Sequence, residues 1–224
     1  MKDKGYFDFK EEFRKDWYLL LLIAAMFLVS CLLYSRLPER MPIHWNIAGE
    51  VDNYSSRFWG AFMMPLLALG ILFMMLLLPL IDPRKENYHR FISSYRVIRS
   101  VLIVFFAGMH FLLLSVSLGY DISIGKFVTL GVGILFFILG NYMPKVRHNY
   151  FMGIKNPWTL SSERVWKKVH RLAGKLFVVS GIIIFSGIFL SDLVRFWLIM
   201  TCVIGSSLIS IIYSYLIFRR EKQG

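Results

Sequence analysis

The sequence predicts an all-α, polytopic membrane protein with six transmembrane helices, both termini cytoplasmic, and an interfacial amphipathic helix before the fifth span. Three observations predict it. Of 224 residues, 57% are hydrophobic, more than the roughly half expected of a soluble domain, and the mean hydropathy is +0.57. Six apolar runs, residues 17–34, 59–80, 101–119, 127–143, 176–190 and 196–218, approach the roughly 20 residues that cross a bilayer. The net charge of +12 is distributed unevenly. With six spans, 21 of the 26 Lys and Arg lie on one set of connections and termini, leaving Arg36, Arg40, Arg57, Lys126 and Arg195 on the other. The positive-inside rule then places both termini and the long basic loop in the cytoplasm. The basic excess therefore reads as topology, and no direct nucleic acid binding is expected.

Taken in order, residues 1–16 alternate charge with Tyr6, Phe7, Phe9 and Phe13 and read as a cytoplasmic interfacial helix, with Trp17 at headgroup level. In the first span, Leu28 to Cys31 resembles a lipoprotein cleavage box, but five acids stand beside the five upstream bases and apolar residues follow Cys31. An unprocessed span fits better. Both cysteines, Cys31 and Cys202, fall inside spans, so no disulfide framework or cysteine metal site is indicated.

Residues 37–58 should lie outside. Pro38 and Pro42 favour extended backbone, and a turn is expected at Ala48-Gly49-Glu50. His44, Trp45, Asn46, Gly49 and Asp52 form the polar group that can meet a ligand here. One His and one carboxylate fall short of a zinc site, so no metal or cofactor is predicted. A compact loop with Trp45 on the membrane surface is the plainer expectation.

Pro65 and Pro79 are expected to kink or end the second span. The following loop from Asp82 to Ser100 is basic and reads as a lipid-facing connector. His110 is the ionisable side chain deep in a run, and a neutral ring bonded to Ser or a carbonyl is expected there. In the fourth span Thr129 and Gly133 form a small-xxx-small pair that permits close helix contact.

The 32 residues from Pro144 to Lys175 carry eight Lys or Arg against Glu163. Their first half is rich in turn formers, Gly153 and Asn156-Pro157. From Ser162 onward, Val165, Trp166, Val169, Leu172, Ala173 and Leu176 line one helix side, while Arg164, Lys167, Lys168, Arg171 and Lys175 line most of the other. That half reads as a membrane-surface helix with His170 as a surface histidine. Specific recognition is expected in Asn149 to Trp158.

Two stretches carry a family resemblance. Leu37-Pro38-x-x-Met41-Pro42-Ile43-His44-Trp45-Asn46-x-x-Gly49-x-x-Asp52 resembles the N-terminal module DUF1648, a domain of unknown function. Gly140-Asn141-Tyr142-Met143-Pro144, then Asn149-Tyr150-Phe151-x-Gly153-Ile154-Lys155-Asn156-Pro157-Trp158-Thr159-Leu160, then Trp166 and His170, resemble the signature of the SdpI family. Lys155 and Asn156 depart from its commoner Arg-Thr and lose a fork-shaped guanidinium. The resemblance implies residues 17–98 as the DUF1648-like module and 99–224 as the SdpI-like module. It also implies a bacterial cytoplasmic membrane protein that gives immunity to a secreted membrane-active toxin peptide and holds a cytoplasmic winged-helix repressor. Its partners would be membrane lipids, that peptide outside and that repressor inside. The binding residues implied are His44, Trp45, Asn46, Gly49, Asp52, Asn141, Arg147, Asn149, Gly153, Lys155, Asn156, Pro157, Trp158, Thr159, Trp166 and His170.

The alternative is a membrane-embedded enzyme acting on lipid, peptide or cell-wall precursor, built from His44, Asp52, His148, Ser161, Glu163 and His170. Topology disfavours it, because the first two are expected roughly 30 Å of hydrocarbon from the rest. A transporter finds less support still, since the spans lack charged pathway residues.

Overall fold

The computed structural model describes residues 7–223; Tyr6 and the start of the N-terminal segment lie outside them. Ten elements follow in order: α1 (Phe9–Lys15), α2 (Trp17–Leu33), β1 (Arg40–Trp45), β2 (Val51–Ser56), α3 (Arg57–Ile81), α4 (Ile92–Ser117), α5 (Ile124–Tyr142), α6 (Pro157–Ser161), α7 (Glu163–Ser186) and α8 (Asp192–Gln223). Six helices, α2, α3, α4, α5, α7 and α8, are long and apolar enough to cross a membrane. The expected helical body is therefore present, joined by one antiparallel hairpin that the sequence reading described only as a compact loop.

The hairpin follows from its residues. Pro38 and Pro42 hold the chain extended. The Asn46 carboxamide oxygen accepts from the amides of Ala48 and Glu50 at 2.9 and 3.0 Å, and Gly49 adopts φ +81°, a turn conformation that suits glycine. Met41 is fully buried because Gly60 of α3 offers no side chain: a Cβ there would stand 2.7 Å from Met41. Arg57 fixes the base, its amide donating to Glu39 O at 2.9 Å and its guanidinium lying over the Tyr34 ring.

α3 runs through Pro65 and ends two residues after Pro79. α4 begins at Ile92, well before the apolar run predicted from residue 101, and its first turns are packed. Tyr88, Phe91 and Tyr95 are buried with Phe7, Met75 and Leu76 in the largest core cluster. The aromatic side of the 82–100 connector is thus packed against protein, while Glu86, His89 and Arg90 stay exposed. His110 is buried as expected, its Nε2 3.3 Å from Ser30 Oγ and 3.2 Å from Met26 O.

α5 and α7 make the closest helix pair. Gly133 and Gly140 of α5 meet Gly181 and Gly174 of α7, each pair seven residues apart. A Cβ on Gly140 would stand 2.6 Å from Val178 N, and one on Gly181 2.5 Å from Phe137 N. The expected Thr129/Gly133 pair lies along this seam, with Thr129 buried. Small residues let backbones touch where lipid supplies no hydrophobic drive.

α7 corrects one expectation. The amphipathic stretch and the fifth span are a single helix of 24 residues, and its apolar face is covered by protein, not lipid. Val165 and Val169 cluster with Ile217 and Ile154, while Trp166 joins the main core.

Candidate functional site

Polar chemistry gathers at the two ends of the bundle, which we call the hairpin end and the motif end.

At the motif end, Asn149 is fully buried and organises the segment before α6. Its NH2 donates to Arg147 O and Met152 O at 2.8 and 2.9 Å. Its oxygen accepts from the amides of Phe151 and Met152 at 2.9 and 2.6 Å. Four contacts on one side chain wrap the chain around it, and Gly153, at φ +116°, completes the turn. A Cβ on Gly153 would collide with the His170 ring. His170, expected on the surface, is instead fully buried, because Nδ1 meets Trp166 O at 2.9 Å and Nε2 accepts from Ile154 N at 3.1 Å. Both ring nitrogens are thereby satisfied in the neutral form. His148, Trp166 and His170 stack in succession, ring centroids 4.9 and 4.0 Å apart, and Trp166 Nε1 donates to Val146 O at 2.9 Å.

The α3–α4 connector holds this stack from the other side. Asp82, fully enclosed, accepts from Tyr88 OH at 3.0 Å and Tyr150 N at 2.9 Å; Asn87 donates to His148 O at 2.8 Å. Arg84 meets His148 Nδ1 and lies over the Tyr150 ring. Burial, and then the Arg84 charge, depress the His148 pKa below the usual histidine range. Burial likewise drives the Tyr88 phenol far above its ordinary value, so it keeps the proton that it donates to Asp82.

Asn156 caps α6, accepting from Trp158 N and Thr159 N at 3.1 and 2.9 Å. Thr159 returns a contact to Asn156 N at 3.0 Å, a reciprocal capping box. Asn156 also donates to Ser214 Oγ at 2.8 Å, and Trp158 packs on Tyr215, fastening the motif to α8. Pro157 occupies the first position of α6. Lys155 donates to Phe151 O at 3.0 Å, so its departure from arginine is accommodated as a single backbone contact. Asn141 only bonds back to Phe137 O at 2.7 Å within α5. Arg147 is exposed, as are Arg164, Lys167, Lys168 and Arg171. Glu163 pairs with Lys167 at 2.8 Å, so it does not form a dyad with His170.

At the hairpin end, His44 Nδ1 and Asp52 Oδ1 are 2.5 Å apart on an exposed face. Trp45, Asn46 and Gly49 lie elsewhere on the hairpin. With the starts of α5 and α8 they line a cleft of 170 Å³ that includes Asp192 and Arg195. The predicted hairpin residues are therefore split between two places. Arg195, assigned from sequence to an exposed connection, lies in the first turn of α8 and is buried. It donates to Leu190 O at 2.7 Å and to Asp192 Oδ1.

Sequence reasoning missed Asp82, Arg84, Asn87, Asp192 and Arg195 as site residues. It also missed a buried cluster at α1. Arg96 forks onto the Glu12 carboxylate with two contacts of 2.7 Å, and Arg99 stands 2.8 Å from Asp16. The i,i+4 spacing of Glu12 and Asp16 and the i,i+3 spacing of Arg96 and Arg99 were the available signal.

Comparison with known proteins accords with these two regions. A family model described as a domain of unknown function, DUF1648, matches residues 21–69, which contain the hairpin. The SdpI/YfhL protein family matches residues 145–214, which contain the motif segment, α7 and most of α8. Over 171 residues the chain is 32% identical to the immunity protein SdpI of Bacillus subtilis (strain 168), spanning 76% of this chain and 80% of that protein. No solved structure matches.

Proposed function

The chain belongs to the SdpI/YfhL family, and from that membership we propose that it is an immunity protein of a bacterial cytoplasmic membrane, without catalysis of its own. In this reading the hairpin end faces outward and meets a secreted, membrane-active peptide toxin. The motif end faces the cytoplasm, where its exposed basic side chains hold a winged-helix repressor. The observation that carries it is the 32% identity to an immunity protein across most of both chains. The charge asymmetry of the connections supports the orientation.

The fold adds support for recognition over chemistry. His170, Asn149, Asn156 and Thr159 are engaged with backbone groups, and they shape a surface on which Arg147, Tyr150, Lys155 and Pro157 stand exposed. Basic residues on α7, Arg164, Lys167, Lys168 and Arg171, extend that surface. An acidic partner face would be steered to it at low salt.

The experiment is deletion of the gene followed by challenge with secreted antimicrobial peptides while transcripts are recorded. Complementation with wild type should restore resistance, and a Trp45/Asn46/Asp52 triple alanine variant should not. Equal protection by both would remove the hairpin from the function. Reversing charge with Arg164→Glu and Lys168→Glu should abolish the transcript response and leave resistance intact. A response unchanged by that reversal would refute the basic face as the repressor site.

A further inference from the structure

The cleft at the hairpin end holds a feature that its own packing leaves unfilled. The Arg195 side chain is only 4% exposed, two of its nitrogens are engaged by Leu190 O and Asp192, and Nε has no acceptor among the described residues. A buried guanidinium N–H without an acceptor has lost its water and received nothing in return.

The surroundings favour a negative ligand. α5 begins at Ile124 and α8 at Asp192, and both beginnings line the cleft. Helix starts carry partial positive charge and first-turn amides that lack intrahelical acceptors. Asp192 is the carboxylate among the lining residues, and it is committed to Arg195. Glu50, beside the turn, is bonded by Asn46 at 3.2 Å. Gly125 has no side chain at this point; a Cβ there would stand 3.1 Å from Arg195 Nη2 and 2.6 Å from Asp192 Oδ1.

Size and walls narrow the ligand further. At 170 Å³ the cleft is smaller than the roughly 300–1,000 Å³ that takes a whole small molecule, so it suits the end of a chain. Trp45, Ile47, Val128 and Phe196 give it apolar walls. A phosphodiester headgroup is flanked by polar atoms, whereas a peptide's terminal carboxylate sits one bond from the carbon bearing a side chain. We propose that this cleft binds the free C-terminal carboxylate of an apolar peptide. Arg195 Nε and the first-turn amides of α5 take the carboxylate, and Trp45, Ile47 and Phe196 enclose the last side chain. The carboxylate chemistry stands on the cleft alone; that the peptide is a toxin rests on the immunity reading.

The test uses the full chain in phosphatidylcholine nanodiscs and a dye-labelled tetrapeptide, Ala-Leu-Leu-Phe, as free acid and as C-terminal amide. The acid should bind saturably and the amide about tenfold more weakly, as loss of a charge-assisted contact implies. Arg195→Lys should remove most of that difference, while Arg40→Gln, outside the cleft, should preserve it. Because the acid–amide contrast is read on wild type, a variant that misfolds does not obscure it. Equal binding of acid and amide overturns the proposal. So does displacement of the acid by dimethyl phosphate at equal concentration, which assigns the cleft to a phosphodiester. Acid-selective binding without protection from any secreted peptide would keep the cleft and remove the immunity role. Protection without acid-selective binding would do the reverse.

Discussion

Replacing Gly181 with alanine tests the α5–α7 seam directly. The added methyl carbon would lie 2.5 Å from Phe137 N, 2.7 Å from Gly133 O and 2.9 Å from Phe137 Cα, against the roughly 3.5–4.0 Å of an ordinary carbon contact. These neighbours are backbone atoms and cannot rotate aside, so the helices must separate by about 1 Å over the contact. Overpacking of this kind costs about 1–3 kcal/mol. Gly70 and Gly205 are the internal controls, since a Cβ at either meets nothing within 4 Å. There the helix should gain up to about 1 kcal/mol from the alanine. The expected gap between Gly181→Ala and Gly205→Ala is about 3 kcal/mol, roughly a hundredfold in the folding equilibrium. Unfolding in mixed micelles of increasing denaturing detergent, followed by tryptophan fluorescence, measures it. Equal midpoints for the two variants would refute the argument that backbone contact holds α5 to α7.

Three other outcomes follow from the polar ties. Asp82→Asn sets its NH2 either against Tyr88 OH and Tyr150 N or against Arg84 N, all of which donate to the carboxylate, and should cost about 1–3 kcal/mol, read as faster cleavage within residues 147–155 by limited proteolysis. Because burial and Arg84 lower the His148 pKa, the folded state favours the neutral ring. That contribution is full above the unfolded value of about 6.5 and is lost as pH falls toward the folded pKa. Exchange protection of the motif segment should accordingly weaken from pH 7 to 5, and His148→Gln should flatten the profile. Glu12→Gln leaves Arg96 and buried Arg99 without their shared carboxylate and should cost about 3–5 kcal/mol, visible as a lower midpoint in the same detergent titration.

The spans were legible because long apolar runs state their own solvent. The apolar face of α7 was legible too, from Val165, Trp166 and Val169, but periodicity identifies a face without saying what covers it. Here Val146 and Ile154 from the turn-rich segment before it and Ile217 from α8 cover it. His170 was misplaced for the same reason: its acceptor role depends on Ile154 N, brought near by the Gly153 turn. Asp82 read as the opening of a loop, since Asp-Pro marks one, and its burial depends on Tyr150, 68 positions on. Arg195 stands one residue before an apolar run, where the sequence alone reads as a connection. The hairpin was half legible, in its prolines and turn, while its short, bulged strands carry little alternation.

α7 and the turn that follows it reach from one candidate site to the edge of the other. Its first turns carry Trp166 and His170 in the motif stack. Just beyond its last turn, at Gly187, a Cβ would stand 3.7 Å from Thr129 and 4.0 Å from Arg195, both in the cleft. The helix contains no proline and one Ser-Gly step, Ser180-Gly181, and its 24 residues correspond to roughly 36 Å. Mechanically it is a strut clamped along its glycine contacts, with a polar cluster near each end. A single continuous helix therefore stands between the surroundings of Arg195 and the Trp166–His170 stack.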